Sequence, residues 1–388
     1  MGGAPVPITT PDLGSAEAEA AARVIRSGWL TQGPEVALFE QEFAAAVGAR
    51  HACAVSNCTT ALHLALLAAG VSAGDEVITV SHSYIATANA VRYCGARPVF
   101  VDVQPGTGNI DPVLVDRAVT PHTRAILCVH QIGLPCDLRR VIAAGRRHAL
   151  PVIEDAACAI GSEILWNGEW QRIGKPHGDI ACFSFHPRKV ITTGDGGMLT
   201  TSHAEFDGAF RRWRQHSMSV PDTVRHGSSA VVFESYPEVG FNYRMTDLQA
   251  AIGREQLKRL DAIVAARRAV AARYREWLAD VPGLGLPDEP SWARTNWQSY
   301  CVRLPDGVPQ KAVMQALLDE GIATRRGVMC AHREAAYEDI RRTALPVSER
   351  IMDRSILLPI FGGLDPDTQR HICDRLAAAV RPADELSA

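Results

Sequence analysis

A lysine stands between an apolar segment and a glycine-rich turn in residues 181–201, ACFSFHPRKVITTGDGGMLTT. The apolar residues predict a short strand that delivers Ser184, and Lys189 follows it, ahead of a tight turn that leads back into a strand. Because desolvating an ammonium group is costly, burial should lower the pKa of Lys189, as an amine nucleophile requires. A surface lysine beside a hairpin explains these residues equally well when they are taken alone.

A second candidate is the carboxylate that ends an apolar strand in LPVIEDAACAIGSE (150–163), where Asp155 follows Glu154. A carboxylate at the carboxyl end of a strand can pair with a protonated pyridine nitrogen. That pairing keeps pyridoxal phosphate an effective electron sink. The alternative is that Asp155 caps a following helix, since aspartate is a favoured N-cap residue.

A third candidate is a strand that runs directly into a helix in AVSNCTTALHLAL (54–66). Free backbone amides and hydroxyl groups at a helix N-terminus form an anion site that suits a phosphate group. An ordinary N-cap accounts for Thr59 almost as well.

These candidates follow strands in a region where strands and helices alternate. Segments rich in Val and Ile predict strands at 51–56, 75–81, 97–103, 124–130 and 150–156, and helical patterns occupy 59–70, 85–95 and 138–149. Strands separated by helices favour parallel βαβ units, so we expect an α/β fold with a mostly parallel sheet flanked by helices. Such a sheet binds ligands at the carboxyl ends of its strands.

The pattern changes after residue 242. Residues 246–278 predict one long helix, and a Pro- and Gly-rich break at 282–291 is followed by a predicted strand at 297–304 and helices at 313–321 and 367–380. We place a domain boundary within the long helix. The expected division is a large domain of residues 1–258 and a smaller α+β domain of residues 259–388.

Composition excludes several classes of protein. The 388 residues carry a formal net charge of −3 without a basic stretch, which argues against nucleic-acid binding. The longest apolar run, 61–71, is too short to cross a membrane, and the first residues do not resemble a signal peptide. The ten cysteines are scattered without a Cys-x-x-Cys pair, which favours reduced thiols in a cytoplasmic enzyme over a disulfide framework or a zinc site.

The order and spacing of many segments resemble the DegT-type aminotransferases, pyridoxal-phosphate enzymes of the aspartate aminotransferase fold (fold type I) that mostly act on nucleotide-linked keto sugars. The resemblance covers nearly the whole chain. It is carried by GWLTQGPEVALFE, SNCTTALHLAL, GDEVITVSHSYIATANAV, GARPVFVDV, VIEDAACAIGSE, FSFHPRKVITTGDGG, GFNYRMTDLQAAIG and LPVSE.

The resemblance implies a role for each matching residue. Lys189 stands at the position of the Schiff-base lysine, which also shuttles protons, and Asp155 at that of the carboxylate on the pyridine nitrogen. Tyr84 matches an aromatic residue that stacks on the pyridine ring, although a core aromatic residue is the alternative. The implied phosphate ligands are Cys58, Thr59, Thr60 and Ser184.

Two positions depart from the family pattern. The family usually has Gly where this chain has Cys58. It often has His or Gln at position 158, where the side chain binds the ring oxygen of the cofactor, and Cys158 is a weaker donor. Relatives that carry His in place of the Schiff-base lysine dehydrate their substrate, so Lys189 favours transamination.

Asn242 matches an Asn that reaches the cofactor phosphate of the neighbouring subunit, which implies a homodimer with shared active sites. A turn residue is the alternative. Trp29 and Thr31 match an early loop near the bound sugar, and His332 lies in a late loop suited to the same pocket. His130, after the strand at 124–130, is interpreted as structural.

The implied reaction is a ping-pong transamination from L-glutamate to the keto group of a nucleotide-linked deoxy sugar. A keto-cyclitol of an aminocyclitol antibiotic pathway is an alternative acceptor. A non-catalytic regulator that binds the cofactor is a second alternative, and a turnover assay with glutamate distinguishes it from an enzyme.

Overall fold

The central part of the chain alternates between short strands and helices. The computed structural model describes residues 5–220, 225, 228–340 and 344–381. The strands of the first part are β1 (His51–Val55), β2 (Glu76–Val80), β3 (Arg97–Val101), β4 (Thr123–Val129), β5 (Val152–Asp155), β6 (Glu163–Trp166), β7 (Glu169–Arg172), β8 (Ile180–Ser184) and β9 (Gly197–Thr201). The helices are α1 (Ser15–Ser27), α2 (Pro34–Val47), α3 (Cys58–Ala68), α4 (Ala86–Tyr93), α5 (Pro112–Ala118), α6 (Leu138–Arg147) and α7 (Ala204–Trp213).

Seven strands form the central sheet in the order β1-β9-β8-β5-β4-β2-β3. The pairs from β3 to β8 are parallel, whereas β9 runs antiparallel to both β8 and β1. The reversal follows from the glycine-rich turn after β8, which returns the chain beside the strand it has just left. The prediction of a mostly parallel α/β sheet is confirmed.

Helices cover both faces of this sheet, and successive strand residues contribute to two different cores. Ala52 belongs to one buried cluster and Cys53 to the other, and Ile126 and Leu127 of β4 divide in the same way. This is the two-residue period of a strand that is buried on both faces. Because helices cover both faces, a ligand site has to be built by the loops at the carboxyl ends of the strands.

The C-terminal part forms a smaller α+β unit. Its elements are α8 (Asp247–Lys258), α9 (Leu260–Trp277), β10 (Ala293–Arg294), β11 (Tyr300–Arg303), α10 (Gln310–Asp319), β12 (Arg325–Arg326), α11 (Pro346–Arg354), β13 (Ser355–Leu358) and α12 (Pro366–Ala379). An antiparallel sheet, β11-β13-β12, packs with these helices around Tyr274, Tyr300 and Ile372. A third small sheet has the order β10-β6-β7.

The expectation of one continuous helix over 246–278 is wrong, because the helix breaks at Arg259. The backbone of this residue has φ −100° and ψ 0°. Its guanidinium group forms an ion pair with Asp12 and a 3.0 Å bond to Glu17, so the break is tied to the N-terminal segment. The proposed boundary between residues 258 and 259 lies at this break and stays a prediction. Within the described ranges, no helix is long and apolar enough to cross a membrane.

Candidate active site

A helix N-terminus at the end of β1 has free backbone donors. Asn57 caps α3, and its Oδ1 accepts a 2.9 Å hydrogen bond from the backbone of Thr60. The hydroxyl of Thr60 donates to the carbonyl of Asn57 at 2.7 Å. In the part of the chain that the structure describes, the amides of Cys58 and Thr59 have no acceptor. Both point from the positive end of a helix, which suits an anion such as a phosphate group.

Gly197 allows β9 to lie directly against this helix start. A Cβ atom at Gly197 would lie 2.5 Å from the backbone of Asn57, so only glycine fits without a shift of the chain. Gly197 also pairs with Ser184 across the two strands. The close approach therefore brings the buried Ser184 to the anion site, as its proposed role as a phosphate ligand requires.

The carboxylate of Asp155 is held by two donors at the end of β5. Oδ2 accepts a 2.7 Å hydrogen bond from the hydroxyl of Thr87, and Oδ1 accepts one of 3.1 Å from the backbone of Ala157. Because Thr87 donates to Asp155, its oxygen can accept from Ser83, which lies 2.8 Å away. Residues 156–162 form turns, so the explanation of Asp155 as a helix cap does not hold.

The sequence predictions did not include Ser83 and Thr87. Both side chains are buried, and their spacing of four residues places them on one side of the chain as it enters α4. This spacing could have indicated the contact between Ser83 and Thr87. It could not indicate that Thr87 binds Asp155, which lies on another strand.

Lys189 and Cys158 are in direct contact. The Nζ of Lys189 donates to the Sγ of Cys158 at 3.1 Å. Burial by itself would lower the pKa of this ammonium group. Cys158 raises it, as do Cys58 and Asp155 to a lesser extent, and the net pKa of Lys189 is raised above its usual value. The expectation of a lowered pKa is therefore wrong for the free amine, because neighbouring acidic groups outweigh burial.

The charges of Asp155, Lys189 and Cys158 also act on Cys58, which connects these four predicted residues in one site. Burial raises the pKa of Cys58 well above its usual value, and Asp155 raises it further, while Lys189 acts in the opposite direction. Cys158 adds to the same increase. A lysine, a carboxylate and a free helix N-terminus therefore meet at the carboxyl edge of the central sheet.

The ring of Tyr84 lies at the surface of this edge. It is 72% exposed, which excludes the alternative of a core aromatic residue. Its carbonyl accepts a 3.1 Å hydrogen bond from the backbone of Thr87, three residues further along the chain, whose hydroxyl binds Asp155. Stacking of Tyr84 on a cofactor stays a prediction.

A segment far along the chain supports the site from the other side. Asn296 donates to the carbonyls of Cys158 at 2.7 Å and Ile160 at 2.8 Å. Gln298 donates to the carbonyl of Arg188 at 2.8 Å. No local pattern in the sequence indicates these contacts, because the partners are more than one hundred residues apart.

The loop that carries Trp29 and Thr31 is anchored by a residue that the sequence predictions missed. The buried carboxylate of Asp247 accepts hydrogen bonds from the backbones of Gly33 at 2.7 Å and Val36 at 3.0 Å. Burial raises the pKa of Asp247, against the effect of these backbone donors. Trp29 is half-buried and Thr31 is exposed, and contact of either with a sugar stays a prediction.

Asn242 is exposed beside the same loop. Its backbone pairs with Gln215, whose side chain lies 3.4 Å from Gln32. The adjacent Tyr243 accepts a backbone hydrogen bond of 2.8 Å from Ser56. Among the described residues, no contact joins the side chain of Asn242 to Lys189, so its role toward a neighbouring subunit stays a prediction.

His332 is buried, and both of its ring nitrogens have protein partners. Nδ1 lies 2.6 Å from the hydroxyl of Ser81, and Nε2 lies 2.9 Å from Glu349. A substrate contact of His332 stays a prediction, and in this arrangement a ligand would have to replace one of these partners. His130 is fully buried and lies 3.0 Å from Glu154, in agreement with its structural interpretation.

Comparisons with known proteins agree along nearly the whole chain. Residues 11–377 match the model of the DegT/DnrJ/EryC1/StrS aminotransferase family. The chain is 36% identical over 386 residues to the spore coat polysaccharide biosynthesis protein SpsC of Bacillus subtilis (strain 168), covering 98% of each protein. Among solved structures, it resembles S. venezuelae DesV in complex with a ketimine intermediate (34% identity, TM-score 0.88, 98% of this chain and 100% of that chain). It also resembles DesI in the presence of its TDP-sugar product (31% identity, TM-score 0.89, 99% and 95%).

Proposed function

The chain belongs to the DegT/DnrJ/EryC1/StrS aminotransferase family, and we propose that it moves an amino group from L-glutamate to the keto group of a nucleotide-linked deoxy sugar. It is a pyridoxal-phosphate-dependent aminotransferase. The observation that carries the proposal is the 3.1 Å contact of Lys189 with Cys158, three residues after the anchored carboxylate of Asp155, near a free helix N-terminus. The TDP-sugar product of DesI supports a nucleotide-linked acceptor.

The residues present fit pyridoxal phosphate. The unpaired amides of Cys58 and Thr59 would bind its phosphate, with hydroxyl groups from Thr60 and Ser184, and the exposed ring of Tyr84 would stack on its pyridine ring. When bound, the cofactor supplies an electron sink for the carbon that carries the amino group.

Lys189 and Asp155 have different tasks in this site. Lys189 would bind the cofactor covalently and, once released by the amino donor, its amine moves a proton on the substrate carbon. Asp155 holds the proton on the pyridine nitrogen, and the hydroxyl of Thr87 fixes the orientation of this carboxylate. Cys158, which contacts Lys189, would also contact the ring oxygen of the cofactor.

The donor and the acceptor use this one site in turn, so we propose ping-pong kinetics. We also propose a homodimer in which Asn242 reaches the cofactor phosphate of the neighbouring site. The loop with Trp29 and Thr31, together with His332, would contact the sugar. The exposure of Asn242 and Thr31 on neighbouring loops supports a role toward a second chain.

A cytoplasmic location is part of the proposal. All ten cysteines are free thiols, and most are buried in the core. Free thiols persist where the surroundings are reducing.

A half-reaction assay tests the proposed function. Purified protein loaded with pyridoxal phosphate should lose its visible absorbance when L-glutamate is added, and a nucleotide-linked keto sugar should restore it. Lys189→Ala serves as the matched control and should respond to neither. An unchanged spectrum with L-glutamate, or near-native turnover by Lys189→Ala, would contradict the proposal.

A further inference from the structure

Two arginines near Lys189 have no carboxylate partner among the residues described. Arg188 directly precedes Lys189, and its Nε is buried without a hydrogen-bond partner. Arg325 is exposed on β12, and no ion pair involves it in the described ranges, whereas the adjacent Arg326 lies 3.6 Å from Glu334. A buried guanidinium nitrogen without an acceptor is costly, which indicates an acceptor from outside the chain.

Backbone contacts fix the positions of Arg188 and Arg325. Gln298 donates to the carbonyl of Arg188 at 2.8 Å, and the amide of Arg188 donates to His186 at 3.2 Å, so the turn is fixed on both sides. Arg325 pairs with Leu357 in the small sheet. Because side chains alternate along a strand, Arg325 points away from the face on which Arg326 meets its glutamate.

Arg188 adjoins Lys189 in the chain, and Arg325 is near enough to Arg188 for the two charges to influence each other. Burial lowers the pKa of Arg188, and the charge of Arg325 lowers it further, while Cys158 and Tyr84 raise it. Burial also lowers the pKa of His186; Asp195 raises it, while Lys189, Arg188 and Arg325 lower it. Positive charge therefore accumulates next to Lys189, where it attracts an anion.

We propose that Arg188 and Arg325 bind a carboxylate group of the amino donor, an inference that rests on the proposed transaminase function. A guanidinium group matches the two oxygens of a carboxylate and binds it through paired hydrogen bonds. Binding at this position holds the amine-bearing carbon of the donor near Lys189, which moves its proton. The diphosphate of a nucleotide sugar presents similar oxygens, so the two half-reactions have to be measured separately.

The experiment compares four variants of the loaded enzyme in the glutamate half-reaction. Arg188→Gln and Arg325→Gln should each raise the half-saturating concentration of L-glutamate by about tenfold or more, because each loses charged hydrogen bonds. Arg188→Lys should give an intermediate value, since lysine keeps the positive charge but lacks the paired donors of a guanidinium group. Arg326→Gln is the matched control and should leave the value unchanged. Circular dichroism of each variant verifies folding.

The outcomes separate this inference from the proposed function. An unchanged glutamate dependence in Arg188→Gln overturns it, as does an effect confined to the keto-sugar half-reaction. If the unsubstituted enzyme does not respond to L-glutamate, the proposed donor fails instead. Calorimetry with succinate, a dicarboxylate without an amino group, then tests the subsite alone: binding that is lost in Arg188→Gln supports it, and equal or absent binding overturns it.

Discussion

The hydroxyl of Thr87 donates a 2.7 Å hydrogen bond to Oδ2 of Asp155, and both side chains are buried. Thr87→Val keeps the shape of the side chain and removes this donor. The loss of one hydrogen bond to a buried charged group should lower kcat about tenfold and the free energy of unfolding by about 1.5 kcal/mol. Steady-state kinetics and urea unfolding measure both effects.

Thr87→Ser is the matched control for this substitution, because it retains the hydroxyl. It should keep most of the activity that Thr87→Val loses, while the KM for glutamate stays similar in both variants. Asp155→Ala gives the upper limit of the effect on kcat. Full activity in Thr87→Val would show that Asp155 needs no support from Thr87.

The contact between Cys158 and Lys189 predicts a shift in the pH dependence of cofactor loading. The amine must lose its proton before it attacks, and Cys158 is the main cause of the raised pKa of Lys189. Cys158→Ala removes this effect and leaves burial, which lowers the pKa. The rate of loading, followed by absorbance after pyridoxal phosphate is added to the apoprotein, should therefore rise at lower pH than in the unsubstituted chain.

Cys158→Ser separates charge from hydrogen bonding. Serine still accepts a hydrogen bond from Lys189, but it does not become an anion in the working pH range. Its loading profile should lie between those of Cys158→Ala and the unsubstituted protein. Three superimposable profiles would mean that Cys158 does not control the proton on Lys189.

The close approach of Gly197 to Asn57 predicts that a larger residue at position 197 would weaken cofactor binding. An alanine here would place its Cβ 2.5 Å from the backbone of Asn57, which carries the helix cap at the predicted phosphate site. Overpacking of this kind costs about 1–3 kcal/mol, so Gly197→Ala should weaken cofactor binding about tenfold or more. Equilibrium dialysis with pyridoxal phosphate measures the change. Gly106→Ala adds its Cβ into open space and should bind normally.

Local sequence patterns predict a large part of this structure. Apolar runs mark the strands, and the residues that end them, such as Asp155 and Ser184, arrive at one edge of the sheet because parallel strands share their direction. These patterns leave the role of Lys189 open, because a lysine beside a glycine-rich turn is equally compatible with a surface hairpin. The family resemblance supplies its predicted role as the Schiff-base lysine.

The misses arise from contacts between distant parts of the chain. The helix over 246–278 breaks at Arg259, which forms an ion pair with Asp12, and the helical pattern within that segment does not indicate a contact with an N-terminal carboxylate. His332 bonds Ser81 across 251 residues, which is invisible in the loop where His332 stands. The pKa of Lys189 depends on Cys158 in the same way, because burial alone gives the opposite direction.

The proposed dimer leads to a test by subunit mixing. Asn242 is exposed beside the loop of Thr31, and we propose that it completes the active site of a second chain. Lys189→Ala and Asn242→Ala should each be severely impaired as homodimers. In a mixed dimer, one site carries both substitutions and the other carries neither, so random exchange in an equal mixture should restore about a quarter of the unsubstituted activity.

The mixing experiment needs a control for subunit exchange. Lys189→Ala mixed with Asp155→Ala places both substitutions in residues that we assign to the same chain's site, so no unmodified site forms and activity should stay low. Native mass spectrometry of the two mixtures measures the fraction of mixed dimers. Recovery with Asn242→Ala and none with Asp155→Ala supports a site built from two chains. A fully active monomer, or mixed dimers without recovery, would leave Asn242 as an ordinary turn residue, because its side chain would then have no task beyond its own subunit.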